Sequence, residues 1–174
     1  MEFRIKRKEN ENLHKYPTDN LDIASTFTRE VKKELGDFVL SIVVFGSSAR
    51  RETSERSDID VLIISDDATY ILTEELIEGY RIIIDNLIRR VSTKLHITSM
   101  TFTSFWEHAK VGDPVVVNIL RDGVALEDKG FFFPLRQQIA CPCFAMIPKK
   151  KWWQLHMLAG EAWPKGFCQE LWSE

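Results

Sequence analysis

The segment that most constrains this chain is Val43-Val44-Phe45-Gly46-Ser47, ten residues, then Asp58-Ile59-Asp60-Val61-Leu62. Leu40 to Phe45 is nearly continuous in apolar, largely β-branched residues. That is the pattern of a strand buried on both faces. Ile59 to Ile64 repeats the pattern until Ser65-Asp66-Asp67 breaks it. Two buried strands are therefore joined by a polar stretch, Gly46 to Ser57, that opens on glycine and closes on an acidic pair.

Each half of that connection carries a chemical expectation. Glycine at 46 lets the backbone approach a ligand with no Cβ in the way. The N–H groups that follow, and the Ser47 hydroxyl, can then point at phosphate oxygens. Residues two apart on a strand share a face, so Asp58 and Asp60 project together while Ile59 turns into the core. Two neighbouring carboxylates repel each other. A divalent cation that prefers oxygen ligands and substrate phosphates relieves that repulsion. Alone, Asp-x-Asp is usually a solvated strand edge and Gly-Ser a turn. Their conjunction after one buried strand and before another is far more specific.

The rest of the chain alternates helix and strand signals. Residues 1–17 are polar and charged and read as a flexible N-terminal arm ending at Pro17. Thr18, Asp19 or Asn20 can cap a helix with apolar positions Ile23, Phe27, Val31 and Leu35, stopped by Gly36. Thr73 can cap a second helix whose stripe is Leu76, Ile77, Tyr80, Ile83, Ile84, Leu87, Ile88 and Val91. A third strand is expected from Lys94 to Thr101. Ser104-x-x-Glu107 reads as a capping box, and Asp113-Pro114 as the start of a helix ending near Gly123. Val124-Ala125-Leu126 reads as a short last strand, and Phe131-Phe132-Phe133 as an anchor that docks the chain behind it. From Ala140 all three cysteines and four of five tryptophans crowd together without a period, so 18–139 is read as the domain and 140–174 as an appendage.

Composition narrows the class. A chain of 174 residues with 44% apolar and 28% charged residues fits a globular domain. A net charge of −3 argues against a surface devoted to nucleic-acid phosphates. No run approaches the roughly 18 apolar residues of a membrane span. Arg4, Lys6, Arg7 and Lys8 precede no apolar segment, so no secretory signal is read, and three clustered cysteines do not make a disulfide scaffold. The expected location is cytoplasmic, with no membrane association.

Gly-Ser, ten residues, then Asp-x-Asp resembles the signature of the DNA polymerase β-like nucleotidyltransferase superfamily. The chain looks most like its minimal archaeal and bacterial members. The resemblance runs from Leu21 through Leu135 and includes Phe105-Trp106-Glu107, Gly112-Asp113-Pro114 and Asn118 to Gly123. It implies an α/β (α+β) fold, a mixed sheet flanked by helices, with ATP or another NTP and Mg²⁺ (or Mn²⁺) in a cleft. It implies that Gly46 and Ser47 hold the β- and γ-phosphates, that Arg50 steadies the triphosphate, and that Asp58 and Asp60 bind metal. The implied reaction moves an NMP, AMP from ATP, onto a hydroxyl acceptor as pyrophosphate leaves. Small members of the superfamily often pair with a separate small helical (HEPN-like) protein, as antitoxins that adenylylate it.

The pattern is broken in places. Full catalysts carry a third carboxylate on a later strand; the matching strand here offers His96 and Thr98 on the face opposite Leu95 and Ile97. His96 can serve as a general base, as a ligand for a softer metal than Mg²⁺, or as an ordinary hydrogen-bonded strand histidine. Ser48 and Arg51 stand where the superfamily usually has Arg and Gly. The rival reading is therefore a non-catalytic nucleotide-binding or partner-binding module. A zinc site from Cys141, Cys143, His156 and Cys168 lacks the usual C-x₂₋₄-C spacing. Lys149-Lys150-Lys151-Trp152-Trp153 mixes cations with aromatics as nucleic-acid contacts do, which leaves an RNA-acting transferase as a third, weaker reading. His14 and His108 read as solvent-facing.

Overall fold

Val39–Phe45 (β1) and Ile59–Ser65 (β2) pair antiparallel, Val44 opposite Val61 and Phe45 opposite Asp60. The structure, a computed structural model, describes residues 12–46 and 58–139, all within the unit Met1–Ile139. Leu95–Thr101 (β3) runs parallel to β2, and Val124–Asp128 (β4) antiparallel to β1, giving one mixed sheet of order β3-β2-β1-β4. The central strands are closed off on both sides: Ile42, Val43, Val44, Val61, Leu62, Ile63 and Ile64 have no exposed surface. That is why they read as continuous apolar runs and not as alternation.

Two long helices supply one cover. Thr18–Leu35 (α1) sends Ala24, Phe27 and Val31 onto Ile42, Val44, Ile59, Val61 and Ile63, and Glu74–Val91 (α2) adds Ile84 and Leu87. Each fully buried large apolar side chain there contributes about 1.5–3 kcal/mol. Three shorter helices, Phe102–Val111 (α3), Pro114–Asp122 (α4) and Phe132–Ile139 (α5), pack on β2, β1 and β4. They bury Phe105, Trp106, Val116, Ile119, Leu120, Phe132 and Leu135. The expected mixed sheet flanked by helices is the fold observed. Among the described residues, no helix is long and apolar enough to cross a membrane.

Most helix ends follow their sequence signals. Thr73 Oγ1 accepts the Leu76 N–H, and the Asp113 carboxylate accepts those of Val115 and Val116 with Pro114 in the first turn. Gly36 ends α1 at φ 51°. Four readings need correction. No side chain caps α1; Pro17 precedes it, its fixed φ suiting the entry. The capping residue of α3 is Thr101, which accepts the Ser104 N–H, so Ser104 lies inside the first turn. β4 runs two residues further than Leu126, because Ser41 and Ile42 pair with Asp128 and Glu127. Phe131 and Phe132 do anchor the chain while Phe133 is exposed, and Phe132 opens α5, whose first N–H groups are accepted by the Asp128 carboxylate.

The stretch read as a loose arm departs most. Residues 12–16 are docked against the domain, with Asn12 and Tyr16 buried. Asn12 Nδ2 donates to Arg121 O (3.0 Å), and the Tyr16 hydroxyl faces Asp122 O and Val44 O (3.4 Å each). The last carbonyls of α4 have no intrahelical partner, and this segment satisfies them.

Candidate active site

The end of β1, the start of β2 and the start of β3 lie at one edge of the sheet, because β2 is antiparallel to β1 and parallel to β3. Gly46, Asp58, Asp60 and His96 are brought there by register alone. Ile59 and Val61 face α1 and α2, so Asp60 faces the opposite side of the sheet, the side on which α3 packs against β2. Leu95 and Ile97 pack with the α1–α2 core, which turns His96 and Thr98 the same way as Asp60.

Asp60 is the hub. His96 is its direct neighbour in the parallel register, and His96 Nδ1 lies 3.1 Å from Asp60 Oδ1. Gly46 meets the other oxygen. Its φ of 93° lies in the left-handed region, and a Cβ there would overlap Asp60 Oδ2 and stand 2.9 Å from Cγ. Glycine is required at 46 twice over, by the backbone angle and by the carboxylate. The Asp60 side chain keeps 24% exposure and His96 71%, so both are reachable from solvent. Asp58 stands exposed immediately before β2, two residues from Asp60. Ser47 and Arg50 lie outside the described residues, as do Ser48, Arg51, the Cys141–Cys143–His156–Cys168 set and the Lys149–Trp153 cluster.

One neighbour has no sequence signal. Burial, with the negative charges of Asp122 and Asp60, pushes the Tyr16 phenol up to about 12. It is a neutral hydroxyl at every ordinary pH, seated between the end of β1 and the end of α4. Lys15 Nζ pairs with Asp122 Oδ1 at 3.1 Å. His14 and His108 are exposed as expected, His108 Nδ1 lying 2.8 Å from Ser104 O.

The donor set suits a hard divalent cation. Such an ion is held through one or two carboxylates and completes its shell with water and substrate phosphates. Among the described residues no three His, Cys, Asp or Glu side chains are gathered into a metal cage. Asp58 and Asp60, with the side-chain-free Gly46 against Asp60, could serve as the protein's part of such a shared site.

A family model described as a nucleotidyltransferase domain matches residues 25–126, from α1 to β4. Among solved structures, the chain is similar to a crystal structure of a mutant of the toxin-antitoxin MntA-HpeT. Identity is 9% and the TM-score 0.43, with 77% of this chain and 97% of that chain covered. No curated protein sequence matches.

Proposed function

Because the chain belongs to the nucleotidyltransferase domain family, we propose that it moves a nucleoside monophosphate, AMP from ATP, onto a hydroxyl acceptor. The observation that carries this reading is the junction of Gly46 with Asp60: a turn that admits no side chain lies directly against a reachable carboxylate. Phosphates drawn to the N–H groups of such a turn lie beside a carboxylate that holds their counter-ion.

In this reading Asp58 and Asp60 hold the divalent ion, Mg²⁺ with Mn²⁺ as a substitute, and Gly46, Ser47 and Arg50 hold the β- and γ-phosphates. His96 stands in the place of the third carboxylate. The ion supplies charge stabilisation for the attacking and leaving oxygens. The acceptor oxygen bonds to the α-phosphorus as the bond to pyrophosphate breaks, and the hydroxyl proton passes to water. The chain's own share is to fix the triphosphate against Gly46 and to hold the Asp60 carboxylate in place beside it. The acceptor is proposed to lie on a small helical partner protein, as for the superfamily's minimal members.

One observation favours a second reading. β3 offers His96 and Thr98 where catalysts offer an acid, which suits a module that binds nucleotide or a partner without transfer. The experiment supplies α-labelled ATP with Mg²⁺ or Mn²⁺ and candidate acceptors, and reads label transfer and pyrophosphate. Transfer that disappears in Asp58→Asn/Asp60→Asn supports the enzyme. Tight nucleotide binding without pyrophosphate release under every metal supports the binding module.

A further inference from the structure

β3 is the last strand on its side of the sheet, and we infer that a second copy of this chain pairs with it there. The two β3 strands run antiparallel about Thr98, and each α2 lies beside its counterpart. In the order β3-β2-β1-β4, β3 pairs with β2 alone. The bond from Ile59 N–H to Lys94 O sets the phase of that parallel ladder. Alternate residues bond to the same neighbour, so His96 and Thr98 face β2, and the backbone groups of Ile97 and Ser99 face outward. Among the described residues, nothing pairs with them on that side. Proteins blunt a free outer strand with charges, prolines, bulges or shortness. β4, at the other end of the sheet, has five residues, ends in Glu127-Asp128 and pairs with a register shift. β3 has seven residues in unbroken register and carries no proline, lysine, arginine or acid.

The charges of α2 point to a second copy as the occupant. α1 lies over β1 and β4, while the bond between Tyr80 and Ser99 (2.6 Å) seats α2 over β3. Arg90 bonds to Glu30 and marks the flank of α2 that meets α1. Arg81 stands nine residues, about two and a half turns, before Arg90, so it lies on the opposite flank, toward the outer side of β3. Asp85 follows one turn later on nearly the same line. Both are exposed, and neither forms an ion pair among the described residues. Antiparallel pairing sets Arg81 against Asp85 of the second copy, twice by symmetry, and brings Glu78 toward Arg89 of the second copy. A purely acidic or purely basic partner leaves one of these signs unmatched. On β3 the same axis sets Thr98 against Thr98, and Ile97 opposite Ser99 as a pair that exchanges both bonds, with no like charges opposed. His96 then stands across from Met100 of the second copy, so the seam runs past each site.

The test is analytical ultracentrifugation of the full chain from low micromolar to about 100 µM. The parent is expected to sediment as a dimer. Arg81→Asp and Asp85→Arg should each weaken association about tenfold or more, since each sets two like-charged pairs across the axis. Arg81→Asp/Asp85→Arg together should restore it, which a merely damaged helix would not do. Both positions are exposed, so thermal melts should stay close to the parent's. Thr98→Lys sets two ammonium groups on the axis and should give a monomer. In the parent, exchange of the Ser99 amide hydrogen should slow as concentration rises. A parent that is monomeric throughout overturns the inference. So does a dimer that Thr98→Lys leaves intact with Ser99 exchanging freely. A dimer indifferent to both single reversals, or not restored by their combination, overturns the α2 contact and with it the assigned partner. None of these outcomes depends on nucleotidyl transfer.

Discussion

Gly46 and Asp60 occupy adjoining positions across the β1–β2 pair, and the carboxylate fills the space in which any other residue at 46 would carry its side chain. Position 46 therefore reports on the geometry of the site more directly than any charged residue does.

Gly46→Ala should be costly in two separable ways. Strain at φ 93° should cost about 1–3 kcal/mol, read as a lower midpoint in urea. Displacing Asp60 by even an ångström should lower nucleotidyl transfer about 100-fold. A variant that melts lower yet transfers at the parent's rate would separate the turn from the chemistry.

Asp60→Asn keeps size and shape and leaves His96 a hydrogen-bond partner, so the fold should survive, with an unchanged circular dichroism spectrum. Transfer should fall about a thousandfold or more, since several kcal/mol of charge stabilisation disappear with the carboxylate. Retained transfer would move the metal site elsewhere.

Tyr16 gives an alkaline signature. Its folded value, about 12, lies above the ordinary 10.0, so the folded chain keeps the phenolic proton that the unfolded chain releases. Its stability contribution is complete below pH 10 and is lost as pH rises from 10 to 12. Urea unfolding at pH 8, 10 and 11.5 should show the decline, and Tyr16→Phe should flatten it. Tyr80, which burial also raises, contributes to the slope that remains.

Asp128 accepts the Ser41 hydroxyl (2.7 Å) together with the N–H groups of Phe131, Phe132 and Phe133. Asp128→Ala strips the cap of α5 and orphans a buried hydroxyl, for about 3 kcal/mol. Asp113→Ala removes a simpler cap and should cost only about 1 kcal/mol. Matched urea titrations would rank the two.

The sequence made the sheet legible because strands with both faces covered show as apolar runs, as β1 and β2 do, while β3 shows by alternation. It made the neighbourhood of Asp60 legible because register is arithmetic. Once Leu95 and Ile97 face the core, His96 must turn toward the acid. The docking of residues 12–16 was not legible. Asn12 and Tyr16 are polar or amphipathic residues in a charged stretch, and their partners, Arg121 and Asp122, lie more than a hundred positions away. α5 escaped for a local reason: three phenylalanines and a proline carry no helical period, and its start is set by a carboxylate on the preceding strand.

The bonds from Asn12 and Tyr16 to the end of α4 span sequence separations of 109 and 106 residues. During synthesis they close only after the strands carrying Gly46, Asp60 and His96 have emerged. Loop-closure entropy delays contacts of that separation further. The three strand ends can therefore meet before their flank is sealed, and the seal carries the largest separations among the described side-chain bonds.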